Sequence, residues 1–258
     1  MLTPLREIIQ YRSLLRDLVV RDLKVRYKRS ALGIAWTMLN PLLMMVVFTV
    51  VFARFLRFPI AHFTVYFLCA FLLWNFVSQT TSWSTACFLG YAPLIRKIYV
   101  PKTVLILSTV FSGLVNLLLA LVPLALIMVL VGHPFTAKLA FIPIPLILTT
   151  LFALGLSLFL APLCVMFSDI GQIYQVLLVA WMYLTPIFYP VEIVPSDYRI
   201  LVDANPMTYF VEAFRAPIYR GVLPDGPTMI GATVFAVASL VIGWTLFQRY
   251  SERIAYYV

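Results

Sequence analysis

Charge is scarce in this chain. Only 11% of its 258 residues are Asp, Glu, Lys or Arg, whereas soluble domains carry about a quarter. No globular surface can be solvated on that composition, which excludes a soluble enzyme or binding module. Acid is scarcer still, with 10 Asp and Glu against 19 Lys and Arg. The three cysteines, Cys69, Cys87 and Cys164, fall inside apolar segments with no pairing pattern. They read as small buried hydrophobes rather than disulfides or metal ligands. The two histidines, His62 and His133, stand in separate short loops without a second ligand nearby in sequence, so no metal site is expected. There is no G-x-x-x-x-G-K-[ST] phosphate loop, no G-x-G-x-x-G, no G-x-S-x-G and no H-E-x-x-H. The chain shows no engine of its own, so work on a substrate needs energy from a partner.

What is present is apolar. Hydrophobic residues make up 63% of the sequence, and several runs reach the ~20 residues needed to cross a hydrocarbon core. The expected class is an all-α integral membrane protein of six spans, at about 34–55, 64–88, 103–131, 139–167, 170–190 and 228–248. Residues 5–29 read as an amphipathic helix, with Leu15, Leu18, Val19 and Leu23 on one face and Asp17, Arg21, Lys24 and Lys28 on another. Such a helix lies in the membrane interface, so 1–33 form a cytoplasmic interface element and 34–258 one transmembrane domain. The first thirty residues hold eight Lys and Arg and no long apolar core, and no cleavable signal peptide is expected. A net charge of +9 could suggest nucleic acid, but the cations cluster beside the spans. With the amino terminus inside, thirteen Lys and Arg fall on the inner side and six on the outer. That bias puts both termini in the cytoplasm.

Several breaks punctuate the spans. Gly33 is the expected hinge into the first, and Asn40-Pro41 the expected kink within it. The second half of span 2, SQTTSWSTAC (78–87), is rich in hydroxyls that should face protein or water rather than lipid. At the tight turn SDIGQ (168–172), Ser168 or Asp169 is expected to cap the next helix. In WMYLTPIFYPVEIVP (181–195), Pro186 and Pro190 break span 5 near the outer surface. The segment 191–227 then forms two short extracytoplasmic helices, SDYRILVD and MTYFVEAFRAPIY, separated by Asn205-Pro206. This is a gate region, with Gly33, Pro41, Pro186, Pro190, Asn205 and Pro206 as its hinge and gate residues.

The order of these pieces resembles a known family. RDLKVRYKRSALGIAWTMLNPL (21–42) is similar to the amino-terminal signature of the permease subunits of ABC-2 type polysaccharide exporters. YAPLIRKIYVPK (91–102) looks like their first cytoplasmic connection, and SDI, LTPIFYP, VP, NP and FRAPIYRG follow in family order over 168–221. One departure is Ser168 where the family has Arg before Asp-Ile. The basic start looks closer to O-antigen and lipid-linked glycan exporters than to capsule exporters. The resemblance implies a homodimer of six-span subunits in the inner membrane of a bacterium, bound to two copies of a separate ATPase. That partner would bind ATP and Mg; no cofactor is expected in this chain. The cargo implied is a lipid-linked polysaccharide such as an undecaprenyl-linked O-antigen. The ATPase contacts implied are Arg21, Arg26, Tyr27, Leu94, Ile95, Arg96 and Lys97, although Arg96 and Lys97 also suit anionic lipid.

Aromatic rings suit a sugar path, since they offer flat surfaces to C–H faces without fixing a hydrogen-bond direction. The candidates are Trp36, Trp74, Trp181, Tyr183, Phe188 and Tyr189, with Phe48 and Phe76 as further rings in spans 1 and 2. Any of them would equally serve as an interfacial anchor. Teichoic acid export, small-amphiphile efflux, an intramembrane enzyme acting on polyprenyl-linked sugars and a passive channel are rival readings. The enzyme would require carboxylates or histidines clustered at one membrane face, whereas half of the acidic residues here are scattered over 191–227.

Overall fold

A computed structural model describes residues 10–26, 28, 30–55, 60–97, 100–252 and 254. Among the described residues every regular element is helical. Helix α1, Arg12–Arg26, is the basic amphipathic segment. Its Leu18 is buried against Phe88, Val104 and Leu105, so its apolar face lies on the bundle. Gly33 then adopts φ +52°, a left-handed conformation that suits glycine, where the chain turns into the helix that follows.

Helix α2, Trp36–Phe48, runs on through Pro41 and continues as a wider π-helical turn, Thr49–Phe55. Helix α3, Phe63–Thr85, is the centre of the molecule. It is apolar all round from Phe63 to Leu73, as a buried span should be, and Val65, Phe67, Leu68, Cys69, Ala70 and Leu73 are fully buried. Two short helices, α4 (Cys87–Gly90) and α5 (Ala92–Ile95), lead to the long α6, Lys102–Val131. Gly132, at φ +70°, ends α6, and the His133 N–H donates back to the Met128 carbonyl at 2.8 Å.

A 3₁₀ turn, Ala137–Phe141, precedes α7, Pro143–Met166. Helix α8 spans Ser168–Leu184, and α9 (Arg199–Asp203) and α10 (Pro206–Arg215, extended by a π turn through Arg220) follow it. Helix α11, Gly226–Tyr250, closes the bundle. Five helical stretches, Gly33–Phe52, Phe63–Thr85, Lys102–Val131, Ala137–Met166 and Gly226–Tyr250, are long and apolar enough to cross a membrane among the described residues.

The remaining expected span differs from its reading in the sequence. Helix α8 has 17 residues and ends at Leu184, not near Pro190, which makes it about 25 Å long. The cause is Pro186. A residue before proline is pushed out of the helical region, and Thr185 is extended at φ −90°, ψ 135°. The expected cap also differs. Phe167 occupies the capping position, neither Ser168 nor Asp169 bonds back as a cap, and Asp169 lies in the first turn, where its charge complements the helix dipole. The two short helices expected within 191–227 are present, parted by Asn205-Pro206. The Asn205 side chain accepts from the Met207 N–H, and Pro206 occupies the first turn of α10.

Helices α7 and α11 make the closest pairing in the bundle. A Cβ on Gly243 would strike the Gly155 carbonyl, and one on Gly155 would strike the backbone of Ser239 and Leu240. Ser239 Oγ donates across the pair to Phe152 O at 3.0 Å. Small residues that let helix backbones touch are the usual means of packing in lipid, where no hydrophobic force separates helix from solvent. At one end of the bundle Leu18, Tyr91, Val100, Phe247 and Ile254 share a second core cluster, so both described ends of the chain meet the 87–104 connection there.

This packing predicts two unequal substitutions. Gly243→Val should destabilise the protein by about 1–3 kcal/mol through overpacking. Ser239→Ala, which removes one interhelical hydrogen bond, should cost about 0.6 kcal/mol. Thermal unfolding of the purified protein in detergent, read by circular dichroism, measures both; equal midpoints for the two variants would contradict the close crossing.

Candidate functional site

The polar half of α3 sorts its residues onto two sides. Thr81 Oγ1 donates to Val77 O at 2.7 Å and Ser84 Oγ to Thr80 O at 2.9 Å, so these hydroxyls satisfy themselves on the preceding turn. Tyr174 of α8 adds a bond from its hydroxyl to Thr81 Oγ1 at 2.7 Å. The opposite stripe is left half-buried. It carries Asn75, Gln79 and Trp83, with Gln79 Nε2 donating to Asn75 Oδ1 at 2.6 Å.

Two cavities of about 280 Å³ each flank this stripe. One lies between α2, α3 and α6, where Trp36, Asn40, Asn75, Gln79 and Asn116 face it; Pro41 forms part of its wall. The other lies between α3 and α8, bordered by Trp74, Ser78, Ser82, Gln175 and Met182. Gln79 and Trp83 belong to both. The lining residues include no Asp, Glu, Lys or Arg, so the cleft is polar and uncharged. Within the first cavity Thr80 Oγ1 and Asn116 Oδ1 have no hydrogen-bond partner among the described residues. Buried acceptors in that state call for donors from water or from a ligand. At the stripe's end nearest α1, the Arg26 guanidinium stands 3.0 Å from the Trp83 ring centroid.

The basic end of the bundle is a built platform. Tyr91 donates its hydroxyl to both carboxylate oxygens of Asp22, at 2.6 and 2.5 Å, and lies 3.3 Å from Ser108 Oγ. Burial, and then the bond to Asp22, pushes the Tyr91 phenol well above its ordinary value. The Arg21 guanidinium covers the Tyr91 ring at 4.3 Å. Leu94 and Ile95 pack on the cluster around Leu18, while Arg96 and Lys97 are exposed. The expected coupling residues of α1 and of 94–97 are thus parts of one surface; Tyr27 lies outside the described residues. Sequence reading missed Asp22. Its signal was its place four residues after Leu18, an acid on the apolar face of a basic helix.

At the other end the expected aromatics divide. Trp36 and Tyr183 are 42% and 57% exposed. Trp74 is buried edge-on to Trp181 at 5.6 Å, and Phe188 is 1% exposed among Phe48, Phe52 and Phe67. Phe188 is enclosed in the core, whereas Trp74, 3% exposed, still borders the second cavity. Trp181 Nε1 donates to Asn205 Oδ1 at 2.7 Å, and Asn205 Nδ2 donates to Thr185 Oγ1 at 2.9 Å. The half-buried Tyr189 donates to Tyr183 O at 3.0 Å and leads into Pro190, whose extended backbone, φ −75°, ψ 145°, opens the loop to α9. The structure also brings His62 and His133 together, with ring centroids 5.4 Å apart. Among the described residues no group of three or more His, Cys, Asp or Glu could hold a metal ion. Asn75, Gln79, Asn116 and Trp83 were not singled out in the sequence, although three amides at membrane depth are a visible cue.

Comparisons with known proteins agree with this architecture. The family model described as ABC-2 type transporter matches residues 13–219. The chain is 31% identical to the O-antigen export system permease protein RfbA of Myxococcus xanthus over 258 residues, covering 99% of each. It is 28% identical to the protein of that name from Klebsiella pneumoniae over 91% of each chain. It is 22% identical to the capsule polysaccharide export inner-membrane protein CtrC of Neisseria meningitidis, over 97% of this chain and 96% of that one. A match over most of the chain, together with the helical bundle it describes, makes this protein a member of the ABC-2 type transporter membrane family.

Proposed function

We propose that the chain is the transmembrane subunit of an ATP-driven exporter that moves a lipid-linked, O-antigen-like polysaccharide across the bacterial inner membrane. The observation that carries this reading is the uncharged cleft of amides, hydroxyls and indoles along α3, set among helices otherwise made of apolar residues. Amides and hydroxyls exchange hydrogen bonds with sugar hydroxyls, and indoles receive C–H faces without fixing their position. The absence of charge in the lining leaves nothing to hold a neutral polymer in one place. The names of the relatives, for O-antigen and for capsule polysaccharide export, support the same cargo class.

In this reading α8 is the short fifth of six spans, and both termini lie inside with the exposed Arg96 and Lys97. Two subunits enclose the path. Support comes from α2 and α8, which border the cleft and leave Met44, Val47, Val176 and Val179 uncovered; a second copy would close these faces and the groove between them. A separate ATPase, two copies per dimer, binds ATP with Mg and docks on the platform of α1 and residues 94–97. The chain itself supplies no catalytic group.

Two experiments test this. Asn75→Leu with Gln79→Met keeps the side chains' length but removes their amide hydrogen bonds. Export of surface polysaccharide, measured in cells carrying the cognate ATPase, should fall about tenfold or more, as loss of several ligand hydrogen bonds implies, with subunit level and ATPase association unchanged. Full export by the double variant would remove the cleft from the path. Replacing Leu94, Ile95, Arg96 and Lys97 together by Ala should abolish co-purification of the ATPase without preventing membrane insertion; retained association would place the docking surface elsewhere.

A further inference from the structure

Arg215, on α10, is only 4% exposed. A guanidinium is always charged and is costly to bury unless protein groups replace its water. Here the replacement is unusual. Its Nη2 donates to the Pro186 carbonyl at 2.8 Å, and its Cζ lies 3.8 Å from the centre of the Tyr66 ring. The carboxylate on its own helix, Glu212, pairs with Arg220 instead. Among the described residues, the Arg215 Nε has no hydrogen-bond partner.

The Pro186 carbonyl explains why a donor is needed here. In a continuing helix it would accept from the N–H of residue 190, but residue 190 is proline and has none. Arg215 supplies the donor that the chain cannot. Three residues on, Tyr66 donates its hydroxyl to Tyr189 O at 2.9 Å. The segment 186–189 is therefore held at both ends by side chains from α10 and α3, with Ile187 and Phe188 driven into the core between them. A buried carboxylate partner would make the arginine expensive to release. A carbonyl and a ring face are neutral partners, and water or hydroxyls can replace them.

We propose that Arg215, backed by Tyr66, is a positioning residue: it latches the Thr185–Tyr189 turn into the subunit, holds the outer mouth shut, and lets go when the mouth opens. The link to polysaccharide release rests on the export reading above. The latch itself is measurable without cargo, so the two fail separately.

The test is cysteine accessibility in the full transporter, in a chain carrying Ile187→Cys; the native Cys69, Cys87 and Cys164 are buried. A membrane-impermeant maleimide should label this cysteine slowly in intact cells. Adding Arg215→Met, which keeps bulk but loses charge and donors, should speed labelling about tenfold, the factor expected for a lost charge-assisted hydrogen bond. Arg215→Lys should stay close to the parent, because it retains a charged donor. Equal labelling of the Met and Lys variants would reduce Arg215 to packing and overturn the latch. So would fast labelling of the Ile187→Cys parent. If Arg215→Met fails to accumulate, Tyr66→Phe decides, since it keeps the ring and loses only the bond to Tyr189. A rise of about fivefold supports the latch, and no change refutes it. A Tyr198→Cys control, at a position 61% exposed, reports the side of the membrane. If it labels only in inverted vesicles, the orientation fails rather than the latch, and the same comparison is read in the vesicles.

Discussion

Polar groups in a hydrocarbon layer must find partners inside the protein, and α3 carries a run of them from Asn75 to Thr85. The rest of the bundle is arranged around that demand. Hydroxyls that can reach the preceding turn do so, which lets Thr81 and Ser84 be buried. Amides are too long and too rich in donors to be satisfied that way. Asn75 and Gln79 meet each other and still have capacity to spare, so they need a wet boundary. The cleft between α2, α3, α6 and α8 is that boundary. Central burial of the apolar half of α3 and the cleft beside its polar half are two consequences of one sequence.

The same helix joins the ends of the molecule. Its 23 residues make a rod of about 35 Å. Near one end Tyr66 touches Arg215 and Tyr189. Midway lie Asn75 and Gln79. At the far end a single residue, Ala86, separates it from α4, which leads to Tyr91 and its bond to Asp22. An arginine rests on an aromatic face near each end, Arg26 on Trp83 and Arg215 on Tyr66. Cation–π contact suits such places, because the ring face attracts a charge beside low-dielectric surroundings. Tyr91 and α4 thus join α1 to α3 by continuous contact.

Five long apolar helices, the basic end and the proline-broken segment after α8 were legible in the sequence because apolar run length and proline placement are local signals. Three features were not. The hydroxyls of 78–87 occupy every side of a helix, so composition alone gives them no phase; α2, α6 and α8 choose which are buried. Trp74 and Phe188 look like any membrane aromatic until Phe48, Phe52, Phe67 and Trp181 are seen around them. The end of α8 at Leu184 was readable from the restriction that Pro186 places on Thr185, and the longer estimate arose from treating the apolar run as the helix. Arg215 looked like one more outer cation, because the carbonyl it answers is orphaned by a proline 25 residues earlier in the chain.

The chemistry of the cleft also separates the cargo classes that its helices alone would admit. An apolar amphiphile brings few donors, so Thr80 Oγ1 and Asn116 Oδ1 would remain unpaired beside it, at a cost of roughly 1–3 kcal/mol for each buried group left unsatisfied. A polyol presents a donor at almost every ring edge and can pass one hydroxyl to these acceptors as another leaves. An anionic polymer gains nothing from the lining either, since no cation stands among the lining residues. Under the export reading, the cleft is matched to the neutral rings of a glycan, with Arg26 against Trp83 at one end of its lining.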